Sequence, residues 1–412
     1  MSQATTSPAA SAPRTWALWM VLAAAGGTFA LTMGTRQTMG LFLSPLNTST
    51  GLGLASISLA FAFGQLCWGL TQPFAGMVAD RVGAGRVLLV GALLVALGTF
   101  ITPLMTSTAG LVFAIGILSA GGAGMAGPSV LMAAMVRLVP PHKRGFATAF
   151  VNAGGSFGQF VMAPLAGFLT VQLGWAAALQ VLGLVVLLAL PAAWVLRGNG
   201  LAAQAAMAAK PLGTGAALQQ ALAEPGYRLL CLGFFVCGFH VAFLATHLPG
   251  VIAACGLPAP VGAWALALIG LFNIVGSFAA GWGMGRWRMK SILSRIYLSR
   301  ALAVLVFLLA PKTEAVVLLF AAAMGLTFLA TVPPTAGLVA KFFGPANMAM
   351  LFGVVMLAHQ IGGFLGAWLG GKVFELTGAY DWVWYLDVVL AIGAALLHLP
   401  IREGRVERHA PA

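Results

Sequence analysis

Charge is what this chain has least of. Of its 412 residues only 7% are Asp, Glu, Lys or Arg, and only eight of those are acidic, while 60% are hydrophobic. A water-soluble surface cannot be built from so few charges, which leaves a polytopic helical membrane protein as the expected class. Cysteine is equally scarce. The four present (Cys67, Cys231, Cys237 and Cys255) have no metal-ligand spacing, which excludes a disulfide framework or a zinc site and reads as small apolar fillers. The first 15 residues lack an apolar core with a small-residue cleavage site, so a retained tail is expected and not a signal peptide. No nucleophile–base pair and no metal cluster can be assembled, so neither an enzyme, a catalytic residue nor a cofactor is expected. Two glycine patterns imitate nucleotide motifs and fail on context. Gly366-x-x-x-x-Gly371-Lys372 continues with Val373 where a Ser or Thr is required, and Gly122-x-Gly124-x-x-Gly127 has no strand before it.

What is present is apolar length. Runs such as Trp16–Ala30, Val87–Phe100 and Ala315–Leu329 suit helices crossing about 30 Å of hydrocarbon in about 20 residues. Twelve spans are expected, at 16–45, 54–79, 87–106, 109–137, 145–171, 175–197, 226–254, 261–285, 290–310, 314–340, 346–374 and 381–401. The basic residues, not the acidic ones, orient them. The loops around Asn47, Thr106, Leu173 and Leu257 carry no Lys or Arg, whereas Arg81, Arg86, Lys143, Arg144, Arg197, Lys210, Arg286, Arg288 and Lys341 fall on the alternate loops. That is the positive-inside pattern, and it puts both termini in the cytoplasm. A net charge of +13 distributed in this way belongs to a lipid bilayer and not to a nucleic-acid partner.

The chain also repeats itself. Gly158, Gly167 and Gly174 recur at Gly362, Gly371 and Gly378, an offset of 204 (362 − 158) each time. Gly76-Met-Val-Ala-Asp80-Arg81 is echoed by Gly281-Trp-Gly-Met-Gly285-Arg286 at 205 (281 − 76). A duplicated six-helix unit follows. The expected organisation is a tail (1–15), an N-terminal six-helix bundle (16–197), a cytoplasmic linker (198–225), a C-terminal bundle (226–401) and a second tail (402–412). The fold class is thus an all-α membrane protein of twelve helices in two pseudo-symmetric bundles, a layout that places a site between the halves.

Between the second and third spans, Gly76-x-x-x-Asp80-Arg81-x-Gly83-x-x-Arg86 resembles the cytoplasmic loop of the major facilitator superfamily. The resemblance implies a gating role for Asp80, Arg81, Arg86 and, in the second half, Arg286. Three further stretches resemble bacterial relatives of the monocarboxylate transporters: Gly34-Thr-Arg36-Gln-Thr-Met-Gly40, Phe239-His240-x-x-Phe-x-x-Thr246-His247-Leu-Pro249 and His359-Gln360-x-Gly362-Gly363. That family carries a basic residue on its first helix near the position of Arg36. Its eighth-helix Arg is missing here, where Asn273 and Ser277 stand.

Arg36 is the sharpest single residue, because a fixed cation inside a span costs about 2.5–3.5 kcal/mol to insert. Its guanidinium can grip a carboxylate through two parallel hydrogen bonds, and the competing role is snorkelling to the headgroups. Polar stripes at helical spacing are formed by Thr28, Thr32 and Thr35; by Asn152, Ser156 and Gln159; by Gln65 and Gln72; by Asn273 and Ser277; and by Thr327, Thr331 and Thr335. His240, His247 and His359 add groups that can relay protons or hydrogen-bond a carboxylate. Asp387, six residues into the last span, is the acid nearest to a span centre, and Arg300 and Lys372 are expected to snorkel. With no central acid to hold a cation, the substrate expected is a small organic anion, a monocarboxylate among the candidates. Arg36, His240, Asn273, Gln159, His359, Asn152 and Gln65 are the expected site, with protons or a counter-anion as coupling partner. The protein is expected to be a monomer in a bacterial inner membrane. An exporter of amphipathic drugs and a non-transporting membrane sensor or assembly subunit are the alternatives.

Overall fold

The structure, a computed structural model, describes residues 15–139, 143–197, 214–344 and 348–404. Among them twelve helical stretches are long and apolar enough to cross a membrane. Spans 1 to 6 are Leu18–Thr50, Leu54–Ala79, Ala84–Leu104, Thr108–Met132, Phe146–Leu173 and Trp175–Val195. Spans 7 to 12 are Pro225–Ala254, Ala259–Gly283, Met289–Leu309, Glu314–Phe343, Met350–Thr377 and Asp381–His398. Between the two sets lies a short helix, Thr214–Ala223, in the stretch expected to be a linker. Residues 1–14, 198–213 and 405–412, which hold most of the expected tails and linker, lie outside the described residues.

Two elements differ from the sequence reading. Span 1 does not stop at Pro45. A tight turn at Met39–Phe42 joins its main helix to Leu43–Thr50, and Pro45 sits in the first turn of that second helix, where its missing N–H leaves no bond unmade. The Gly76–Arg81 motif is not a loop either. Its residues form the last turns of a helix, Leu54–Val82, that ends at Gly83.

The internal repeat becomes a repeat of contacts. Gly158 of span 5 lies against the Ala30 carbonyl of span 1, and Gly362 of span 11 lies against the Phe235 carbonyl of span 7. Within lipid, where apolar burial no longer drives association, such glycines let two backbones touch. Both halves also contain a broken helix at the same place. Span 4 is interrupted at Ala126–Gly127 and restarts at Pro128; span 10 ends its first helix at Thr327 and restarts at Val332, with Pro333 in the first turn. The two prolines are again 205 apart (333 − 128). The turns after spans 5 and 11 repeat as well, each built on a glycine at positive φ (Gly174 at 81°, Gly378 at 71°). On the side of the Gly83 turn, Glu403 accepts from Lys290 N at 2.8 Å and from Lys341 Nζ at 3.0 Å, tying the ends of spans 9, 10 and 12 together.

The close glycine contacts set a stability prediction. Gly366 faces the Phe239 carbonyl, so Gly366→Val must push spans 7 and 11 apart at a cost of about 1–3 kcal/mol, whereas a Cβ at Gly281 meets nothing within 4 Å. Thermal unfolding followed with a thiol-reactive dye should show Gly366→Val melting several degrees below the native protein and Gly281→Val unchanged.

The halves meet along spans 2 and 11 and along spans 5 and 8. Both pairs run antiparallel in a steady register: Ser58 opposite Gly371, Gln65 opposite Gly363, Gly69 opposite Gln360, and Gly167 opposite Ala263, Ser156 opposite Gly270 and Asn273. Continuing the first register sets Gly76 opposite Gly353, yet neither glycine has another group within 4 Å of where a Cβ would stand. Gly281, further along the second pair, is open in the same way. The halves are therefore packed on the side of the turns at 51–53, 255–258 and 378–380, and parted on the side of the Gly83 turn.

A latch closes the packed side. Glu375 at the end of span 11 accepts from the backbone N–H of Ala55, 3.3 Å away, in the first turn of span 2. A carboxylate there meets free amide donors and the positive end of the helix dipole. Glu375→Gln should loosen this seal. In a background without the native cysteines, labelling of Ser58→Cys, a buried position behind the latch, should rise about two- to fivefold with Glu375→Gln.

Candidate functional site

Just beneath the packed side lies a cleft lined by both halves. Arg36, Gln37, Met39 and Gly40 come from span 1, Phe61, Gly64 and Gln65 from span 2, and Ser119 from span 4. Ala245 and Thr246 of span 7 close it. Gly40 is what allows the closure, since any larger residue would collide with the Ala245 and Thr246 carbonyls.

Arg36 is held in place and is not snorkelling. Its Nη2 donates to Gln65 Oε1, and its guanidinium carbon lies 4.9 Å from the centroid of the Trp68 ring. One hydrogen bond and one cation–π contact fix the plane of the group while leaving most of its donors unused. Among the described residues no carboxylate pairs with it. Gln37, only 4% exposed, and Trp68, with a buried and unpaired indole N–H, stand beside it. Neither was singled out from the sequence. Gln37 broke no pattern there, and a Trp beside a glycine in span 2 carries no signal until Arg36 is seen stacked on it.

The remaining expected residues separate into groups. Gln65 joins Arg36 directly and also, through its backbone carbonyl, accepts from Gln360 Nε2 at 2.7 Å across the halves. His359 donates through Nδ1 to Gln360 Oε1 at 2.8 Å, so it reaches the cleft only by way of Gln360. Asn273 bridges three elements. Its Nδ2 donates to Ser156 Oγ at 2.8 Å, and its Oδ1 accepts from Leu329 N at 2.9 Å, an amide freed where span 10 breaks. Gln159 is buried beside Gly270 with its amide nitrogen unpaired. Asn152 is exposed, on the parted side. The threonine stripe of span 1 turns inward on itself: Thr28 and Thr32 donate to the carbonyls of Ala24 and Thr28. His247 donates to the Ala367 carbonyl at 2.7 Å, a clasp between spans 7 and 11.

Three expectations are corrected by the C-terminal bundle. Arg300 does not snorkel. It is 1% exposed, and its Nη2 donates to the Thr327 carbonyl and, at 2.8 Å, to that of Phe328, both released by the break in span 10. A broken helix inside lipid needs such partners for its freed backbone groups, and twelfth place in a 21-residue helix left Arg300 near none of the headgroups. The expectation of no central acid fails at Asp387, which is 1% exposed within the bundle. His240, in turn, does not point into the cleft with Arg36. Its Nε2 lies 3.1 Å from Asp387 Oδ1, with both side chains buried. Lys372 is half-buried near the packed side.

Of the expected gating residues, Arg81, Arg86 and Arg286 are exposed on the parted side, and Arg286 lies over the Trp282 ring at 3.8 Å. The Asp80 side chain lies outside the described residues.

A pattern of the Major Facilitator Superfamily matches residues 24–366. The chain belongs to that superfamily. It is 22% identical over 378 residues to the MFS-type transporter YcxA of Bacillus subtilis (strain 168), covering 90% of this chain and 92% of that one. It is 25% identical over 366 residues to monocarboxylate transporter 13 of Bos taurus, covering 88% and 84%. Among solved structures, a D-xylose–proton symporter superposes with a TM-score of 0.75 at 14% identity, covering 94% of this chain and 98% of that one. A bacterial homolog of the human lysosomal transporter Spinster, inward-facing and occupied, gives 0.75 at 16% identity, covering 94% and 97%. At these identities the structural likeness concerns the fold: twelve helices in two pseudo-symmetric bundles. This chain is therefore an integral multi-pass membrane transporter of that superfamily.

Proposed function

We propose that the protein moves a small organic anion, a monocarboxylate first among the candidates, by alternating access of the cleft at Arg36. The observation that carries this reading is a guanidinium with no carboxylate partner among the described residues, fixed by Gln65 and Trp68 in a cleft between two bundles. A substrate carboxylate supplies the missing counter-charge in the geometry that a planar fork accepts best. Relatives bearing the name monocarboxylate transporter add support at low identity. Gln37 and Thr246 complete the polar lining, and Asn273, Gln159 and Asn152 border the path from the parted side.

In the orientation given by the basic loops, the parted side is cytoplasmic, both termini are cytoplasmic, and the form described is open inward. Rocking of the N-terminal bundle (16–197) against the C-terminal one (226–401) would open the Glu375 latch and close the cytoplasmic ends, where Asp80, Arg81, Arg86 and Arg286 can form charge contacts. The unit is a monomer in a bacterial inner membrane, with no cofactor and no catalytic residue. Uptake of a panel of labelled monocarboxylates into proteoliposomes, with a pH gradient or preloaded counter-anions, tests the reading. Saturable uptake that Arg36→Gln removes supports it, and no uptake of any acid by the native protein turns the assignment to the drug exporter.

A further inference from the structure

Three ionisable side chains meet inside the C-terminal bundle, and none of them lines the cleft. His240 of span 7 and Asp387 of span 12 approach to 3.1 Å, and Arg300 of span 9 is electrostatically coupled to both. Each is 1% exposed. The contact between His240 and Asp387 is within ion-pair distance but off the direction of a hydrogen bond. Both carboxylate oxygens, both ring nitrogens, and Nε and Nη1 of Arg300 consequently lack an aligned partner among the described residues. Buried ionisable groups left this incompletely paired are costly.

The fold does not require them. At the repeat offset of 205, the matching positions of the N-terminal bundle are Thr35 (240 − 205), Val95 (300 − 205) and Leu182 (387 − 205), all fully buried. The break in span 4 is likewise closed without a charged group, with Ala126 N and Gly127 N donating to the carbonyls of Gly122 and Gly124 and Thr71 Oγ1 to that of Gly121. One bundle therefore builds the same architecture with no ionisable side chain at these positions, and the other places two charges and an imidazole there. Arg300 offsets its cost by holding the carbonyls freed in span 10, but His240 and Asp387 bring no such structural return, and a cost of that kind marks a functional site.

We propose that His240 and Asp387 form a proton-binding site of the C-terminal bundle, with Arg300 setting its charge balance. When Asp387 is ionised and His240 neutral, the three groups sum to zero. One proton taken up makes a single new O–H bond on Asp387, beside a neutral His240, and raises the sum to +1. In a low-dielectric interior that net charge is disfavoured unless a negative charge arrives nearby. Resting on the anion reading above, an acid held at Arg36 is that charge, so proton and anion favour each other's binding.

A polar chain joins the two places. Arg36 bonds Gln65, the Gln65 carbonyl accepts from Gln360, Gln360 accepts from His359, and His359 interacts with Cys237. Arg300 in turn lies 3.6 Å from Cys237 Sγ. The other titratable groups around the pair are Cys237 and His247 on span 7, Tyr297 on span 9, His359 on span 11 and His398 on span 12. His247 and His398 each donate to a backbone carbonyl, and Tyr297 donates to the Gly233 carbonyl at 2.6 Å. Span 10 faces the group with Thr331, and neither it nor span 8 has an ionisable side chain away from its ends.

Infrared difference spectroscopy on the purified protein in lipid nanodiscs, titrated from alkaline to acid pH with no acid substrate added, tests the proposal. The native protein should develop a protonated-carboxyl band that Asp387→Asn removes, and His240→Gln should move the midpoint of that band by about one pH unit or more. An Asp387→Asn spectrum identical to the native one overturns the proposal, as does a midpoint that His240→Gln leaves in place. If Asp387→Asn does not fold, the His240→Gln midpoint decides by itself. Because no transported acid is present, this result is independent of the uptake panel: an Asp387 band without uptake of any carboxylate keeps the proton site and removes the anion reading.

Discussion

Arg36→Gln should lower carboxylate uptake at sub-saturating concentration by about 100-fold or more, with the unfolding temperature nearly unchanged. Glutamine retains a donor for Gln65 and most of the apolar stem, but it loses the charge and the fork. Removing one partner of a desolvated charge pair costs about 2–5 kcal/mol, and each 1.4 kcal/mol is a factor of ten in affinity. Arg36→Lys should fall between the two. It preserves the charge as a compact point but not the two parallel bonds, so about a tenfold loss is expected. If Arg36 were only an interfacial anchor, both variants would transport like the native protein. The geometry argues against an anchor, since the guanidinium is spent on Gln65 and Trp68 inside the cleft and not on the headgroups.

Much of this architecture was legible because membrane helices announce themselves locally. Apolar length located eleven of the spans to within a few residues, and the glycine offset of 204 reported real contacts, since Gly158 and Gly362 touch matching backbones in the two halves. Span 1 was cut short because Pro45 reads as a terminator, whereas a first-turn proline starts a helix as readily as it ends one. Arg36 was legible for a different reason: one cation in an otherwise apolar run is a cost that the sequence displays openly.

The interior of the C-terminal bundle was not legible. His240, Arg300 and Asp387 lie on three helices separated by 60 and 87 residues (300 − 240 and 387 − 300), and no local pattern says that they meet. Each was judged against its own helix, which made Arg300 a snorkelling residue and left Asp387 outside the expected site. One signal could have placed Arg300. Pro333 and Pro334 predict a broken span 10, the break frees backbone carbonyls, and a cation near the middle of a neighbouring span is the partner they need.

Asp387→Asn should separate two modes of transport that the native protein performs together. For an acid carried with one proton, a gradient of one pH unit can sustain an accumulation of about tenfold. Asparagine has nearly the shape of the protonated carboxyl but cannot release or accept the proton, so the bundle is held permanently in one charge state. The variant should then fail to concentrate the acid above equilibrium, whatever the gradient. Exchange of labelled for unlabelled acid requires only that the loaded carrier change its open side, and it should continue within about threefold of the native rate. Both activities are measured in the same proteoliposomes, with pH equal on the two sides for exchange. A parallel loss of exchange and accumulation would make Asp387 a structural partner of His240 alone. Unimpaired accumulation would mean that the proton travels elsewhere, with His359, which bonds Gln360, the next group to replace.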